Sequence, residues 1–224
     1  FRAALARVGV DRPAGFEWPA VYDAGDILAA ATLEETHDRV SEASAALHAL
    51  GLIPIAIGGG HDLTYAFVRG LVPKLDRPVV VYCDAHLDVR ETPGSGMPFR
   101  WLREQCGVNE FHVHGLDPYG NTAEHLNWFQ ANGGRLDPFG PEDDWPDGDV
   151  CFSFDLDVLD QQTAPGVSAP NPTGWSAALA ERWCIAAGRC ARVRCLDIIA
   201  LSPPHDSDDR TARLAARLFQ AMLR

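Results

Sequence analysis

Asp84, His86 and Asp88 stand at i, i+2 and i+4 behind the apolar run PVVVYC, and Asp155 and Asp157 repeat the i, i+2 spacing behind DVCFSF. His61 follows a third apolar run, inside GGGHD. Carboxylates and imidazoles hold hard or borderline divalent cations. A set of four carboxylates and two imidazoles without thiolate suits Mn²⁺ ahead of Fe²⁺, Co²⁺ or Zn²⁺. Carboxylates directly behind an apolar strand are expensive to bury unless a cation neutralises them. If the extended conformation continues beyond the strand, residues 84, 86 and 88 point to one side. Six ligands exceed what one ion takes beside an open position, so two ions sharing bridging carboxylates fit better. Such a pair, about 3.5–4 Å apart, can hold a hydroxide at neutral pH, a nucleophile suited to hydrolysis.

Alternating strands and helices must carry these residues. Thr32 to Leu50 reads as a helix opened by a Thr32/Glu35 capping box and stopped by Gly51. LIPIAI (52–57), PVVVYC (78–83), FHVHGL (111–116), DVCFSF (149–154) and VRCLDIIAL (193–201) read as strands. Helices are expected through Ala66 and Leu71, around Phe99–Cys106, near Thr122–Asn132, near Ser176–Gly188, and from about Asp209 to Leu223. Continuous apolar strands alternating with helices predict an α/β fold: three αβα layers around a mostly parallel sheet. Ligands in such folds bind beyond the carboxyl ends of the strands, where all six candidate ligands fall. No linker or repeat divides the chain, so residues 1–224 read as one domain. The start at Phe1, without a Met, reads as a domain lacking an N-terminal segment.

Composition narrows the partners. The chain has 224 residues, with 19 Lys+Arg against 31 Asp+Glu, for a net charge of −12. That balance argues against nucleic-acid binding, which needs surplus Lys and Arg, and fits cationic partners better. No apolar run is long enough for a membrane span. The six cysteines form no CxxC pair and read as buried small hydrophobes in a reducing cytoplasm. Gly58–Gly60 continues into neither GxGxxG nor GxxxxGK, so a phosphate cradle is a weak reading. His112 and His114 read as a packed or hydrogen-bonded pair, Trp128 and Phe129 as core, and Glu142, Asp143 and Asp144 as a solvated loop.

GGGHD, DAHLDVR and SFDLDVLD, in that order, resemble the three metal-binding motifs of the ureohydrolase superfamily of arginases, agmatinases and formimidoylglutamases. The resemblance implies an arginase-type fold and a binuclear Mn²⁺ centre. It implies one ion held by His61, Asp84, Asp88 and Asp155, and another by Asp84, His86, Asp155 and Asp157, with Asp84 and Asp155 bridging. It also gives Asp88 a general acid/base role, and suggests a homo-oligomer.

Arg90, GSGMPFR (94–100), GLDPYGNT (115–122) and VLDQQTAPGVSAP (158–170) resemble the formimidoylglutamase branch. That branch implies hydrolysis of N-formimidoyl-L-glutamate, a linear amidine, to L-glutamate and formamide. Arginine recognises carboxylates through paired hydrogen bonds, so Arg90 and Arg100 are the substrate-binding candidates, with Asn121 as helper. Surface ion pairing is the competing reading of both arginines. One segment departs from the superfamily pattern. In Asp197-Ile198-Ile199-Ala200-Leu201-Ser202-Pro203, alanine stands where ureohydrolases carry a glutamate that binds the cationic end of the substrate. Asp206 and Asp208 lie just beyond, as a substitute acid or as caps of the last helix.

Overall fold

Six parallel strands make one sheet in the order β1-β6-β5-β2-β3-β4. In this computed structural model, which describes residues 1–7 and 19–224, they span Ile55–Ile57, Pro78–Cys83, Phe111–His114, Gly134–Leu136, Asp149–Asp155 and Val193–Ile199. The helices are α1 (Arg2–Arg7), α2 (Leu33–Ala49), α3 (Asp62–Arg69), α4 (Pro98–Cys106), α5 (Ala123–Ala131), α6 (Ala177–Arg189) and α7 (Arg210–Met222). Strand alternation divides the core. Val79, Val81 and Cys83 of β2 face one cluster, with Trp183 of α6 and Leu218 of α7. Val80 and Tyr82 face the other, with Val40, Phe67, Phe99 and Phe129 from α2 to α5. The expected three-layer α/β arrangement is present.

Local chemistry sets the boundaries. The Thr32 hydroxyl accepts from the Glu35 N–H, and the Glu35 carboxylate accepts from the Thr32 N–H, closing the expected capping box. Two strands end sooner than their apolar runs, because Gly115 (φ +90°) and Ala200 (φ +64°) turn left-handed. β1 also begins later than expected: Leu52 and Ile53 are exposed. β4 was not expected, since Gly134-Arg135-Leu136 is short and lacks an apolar pattern, yet it pairs with β3.

His112 and His114 are packed, as expected, each against its own partners. His112 Nε2 lies 2.9 Å from Glu110, while the His114 ring lies 4.2 Å from Trp183 and 4.6 Å from Phe139. Burial, with a smaller push from His112, holds His114 down at about 3. Unfolded, this imidazole returns to about 6.5, so its contribution is intact above pH 6.5 and fades as pH falls from there toward 3. By pH 4.5 the loss is about 2–3 kcal/mol. The His114→Leu variant is therefore expected to lose less stability than wild type between pH 7 and 4.5. Parallel denaturation curves at the two pH values would contradict it.

Candidate metal centre

The three ligand-bearing motifs leave β1, β2 and β5 at their carboxyl ends; β2 and β5 are neighbours, and β1 stands one strand away from β5, across β6. Metal-ligating atoms of His61, Asp84, Asp88 and Asp155 lie within 4.8 Å of one another, as do those of Asp84, His86 and Asp157. Asp84 belongs to both sets, so its two oxygens span the pair. Asp155 is placed in the first set only, and its Oδ1 accepts from the Asp157 N–H at 2.8 Å. All six candidate ligands are thus gathered at one rim.

Continued extension is not what aligns them. The Asp84 carboxylate accepts from the His86 N–H at 2.6 Å, and Asp155 makes the matching turn with Asp157. Asp157 lies in a short 3₁₀ turn (Leu156–Val158), and Asp88 adopts φ +48°. Both chains therefore bend immediately after their strands, and Asx turns aim the carboxylates inward.

Hydrogen bonding fixes which His61 nitrogen faces the cluster. The Ser153 hydroxyl donates to Asp197 Oδ1 at 2.5 Å, so it can only accept from His61 Nε2–H, 3.1 Å away. Thr64 donates to the other Asp197 oxygen at 2.8 Å. Nδ1 is left to take a proton or a cation. Asp84, Asp88 and Asp155 present oxygens to it at 3.0, 2.9 and 3.1 Å. One nitrogen cannot satisfy three carboxylates, and buried His61 Nδ1, Asp84 Oδ2 and Asp157 Oδ1 have no hydrogen-bond partner. This donor set fits divalent cations. Ser153→Ala is expected to weaken Mn²⁺ binding about 10–100-fold by releasing the His61 ring. A metal titration showing unchanged affinity would refute that role.

Sequence reasoning did not single out Ser153, Thr64 or His37. His37 on α2 lies 2.9 Å from Asp62 and anchors the GGGHD turn. Their signal was faint, because each acts across elements distant in sequence.

A match to the Arginase family covers residues 1–134 and 141–224. The chain belongs to the arginase family. Within it, a curated formimidoylglutamase from Aromatoleum aromaticum is 34% identical, across 99% of this chain and 75% of that protein. The crystal structure of Trypanosoma cruzi formiminoglutamase with Mn²⁺ superposes with a TM-score of 0.81 at 29% identity, covering 90% of this chain and 74% of that one. The proclavaminate amidino hydrolase of Streptomyces clavuligerus gives 0.77 at 25%, covering 90% and 73%. The sequence resemblance to the formimidoylglutamase branch of the arginase family thus extends along nearly the whole chain.

The substrate candidates are placed less uniformly. Arg90 is exposed, two residues beyond Asp88. Arg100 already pairs with Glu91 at 2.7 Å and Glu104 at 2.9 Å, and its guanidinium lies 5.0 Å from the Trp128 ring. Trp128 accordingly sits at the rim of the core, whereas Phe129 is within it. The Asn121 amide is committed to backbone: it accepts from the Leu87 N–H and donates to the Ala85 and Asp117 carbonyls. Asn121 therefore braces the loop carrying His86 instead of presenting a free amide. Ala200 lies beside the metal motif, its N–H donating to the Gly59 carbonyl at 2.9 Å. Asp206 does not replace the missing glutamate, since both its oxygens accept from α7 backbone at Thr211 and Ala212.

Proposed function

We propose that this arginase-family chain hydrolyses N-formimidoyl-L-glutamate to L-glutamate and formamide, using two Mn²⁺ ions held by His61, Asp84, His86, Asp88, Asp155 and Asp157. The observation carrying the reading is the pair of adjoining ligand sets joined by Asp84, with buried ligand atoms left unpartnered. Relatives named formimidoylglutamase support the choice of amidine. When bound, the ions supply Lewis acidity and an activated water. The protein positions the rest: Ser153 and Asp197 orient His61, and the two Asx turns orient Asp84 and Asp155. Asp88 is the one carboxylate of the first set that is not fully buried, so it is the acid able to pass a proton to the departing α-nitrogen. Arg90 supplies the exposed cation for a substrate carboxylate.

A panel of linear amidines and guanidino compounds, assayed with saturating Mn²⁺ and with both formamide and urea detected, tests this reading. Formamide from N-formimidoyl-L-glutamate is the expected result, and urea from a guanidino compound would move the assignment to another substrate. Ala200 favours a second reading, a metal-retaining homologue without that activity. Protein carrying two ions yet inert on the whole panel would establish it, and Ala200→Glu is the variant expected to respond by gaining amidine turnover.

A further inference from the structure

A cavity of about 350 Å³ opens between the loop that follows Asp88 and the first turns of α5, lined by Arg90, Glu91, Thr92, Arg100, Glu124, His125 and Trp128. Its charges are unevenly committed. Glu91 and Glu104 satisfy Arg100, which lies over Trp128 and forms a neutralised wall. Among the described residues, the Arg90 guanidinium and the His125 imidazole make no ion pair or side-chain hydrogen bond. Glu124 is exposed in the first turn of α5, where the helix dipole favours its charge.

The two uncommitted groups are nevertheless held in place. The Arg90 N–H donates to the Gly96 carbonyl at 2.7 Å. A Cβ at Gly96 would come within 2.8 Å of Arg90 Cδ and 3.0 Å of Nε, so the glycine leaves the space in which the arginine stem lies. The His125 N–H donates to the Thr122 cap, fixing the start of its side chain. The walls are tied to the metal loops as well. Phe99 N–H donates to the Asp88 carbonyl, and Asn121 grips Leu87 and Ala85. A cation and a hydrogen-bonding ring, both free and both lining the cavity next to the loop that follows Asp88, match a carboxylate at the far end of a substrate.

We propose that this cavity seats the side-chain carboxylate of the substrate, with Arg90 as its ion-pair partner and His125 as a specificity-determining hydrogen-bond donor. The assignment rests on the reading of the substrate as a formimidoyl amino acid. It excludes Arg100 as the main carboxylate ligand and adds a histidine to the recognition set.

Glutarate binding to Mn²⁺-loaded wild type, Arg90→Gln, Arg90→Lys, His125→Gln and His125→Ala, measured by calorimetry, tests the cavity without requiring turnover. Arg90→Gln is expected to weaken glutarate at least about 10-fold and His125→Ala about 5-fold, with Arg90→Lys and His125→Gln partly restoring it. In steady state, KM for N-formimidoyl-L-glutamate should rise by similar factors while kcat holds, and KM for N-formimidoyl-L-glutamine should not move. Wild type that binds glutarate through both residues but hydrolyses neither compound would retain the cavity and remove the proposed reaction. Equal glutarate affinity in all five proteins, no glutarate binding by wild type, or equal KM changes on both substrates would overturn the cavity assignment.

Discussion

Asp84→Ala is expected to reduce hydrolytic activity by about 10³-fold or more and to leave no more than one Mn²⁺ per chain. No other residue belongs to both ligand sets, and its carboxylate is fully buried beneath them. Removing it would take a donor from each of the two proposed ion sites at once. It also removes the acceptor of the His86 N–H, so the turn that aims His86 loses its hinge. Asp157→Ala should be milder on metal content, because only the second set contains Asp157. Metal analysis after equilibration with excess Mn²⁺, alongside the activity assay, separates the two variants. An Asp84→Ala protein that retains two ions would refute the bridge.

Metal removal should expose a pH dependence opposite to ordinary acid unfolding. Without cations, hydrogen bonds to Asp157 and then Asp84 push His86 up to about 11. Burial works against a charge on His61, but Asp155, Asp84 and Asp88 outweigh it and hold its pKa well above 6.5. Burial, with Asp88 and Asp157, raises Asp84 to about 6. Every one of these folded values lies above its unfolded counterpart. Bound protons therefore stabilise the metal-free fold fully below the unfolded values, and the benefit fades as pH rises through about 6 for Asp84 and toward 11 for His86. Cations compete for the same atoms, so Mn²⁺ binding releases protons and tightens with pH. The gap in Tm between Mn²⁺-loaded and chelator-treated protein should thus widen from pH 5 to pH 9. At neutral pH, with metal at about 100 times Kd, it should reach about 5–10 °C. Calorimetry giving a constant or shrinking gap would sink this account.

The ligand set was legible because residue type, strand context and spacing agreed at three places. Acids behind β2 and β5 had few structural uses other than holding a cation. The cause of their alignment is not legible, since an i, i+2 spacing looks the same in a continuing strand and in an Asx turn. Arg90 and Arg100 sit in related sequence contexts and differ only in their neighbours: Glu104, one helical turn beyond Arg100, and Glu91 commit that side chain. Asn121 was drawn into the site by its motif, whereas its amide braces backbone that no periodicity reveals. The strand at Gly134–Leu136 needs the preformed edge of β3 more than it needs its own side chains. Ser153 and Asp197 lie next to each other across β5 and β6, a pairing visible only after the strand order is known.

That strand order also dictates when the site can come into being. Among the described residues, β1, which leads into His61, pairs only with β6, about 140 residues further along (the gap from Ile55–Ile57 to Val193–Ile199). During synthesis, the segment carrying His61 emerges early and waits for residues 193–199 before it has a strand to dock against. Asp197, which orients the His61 ring through Ser153, arrives with the same late strand. A nascent chain stopped before β6 would possess every proposed metal ligand, with those behind β2 and β5 already on paired strands, but His61 would lack the strand that docks it beside them. Completion of the His61 set is consequently tied to the arrival of residues 193–199.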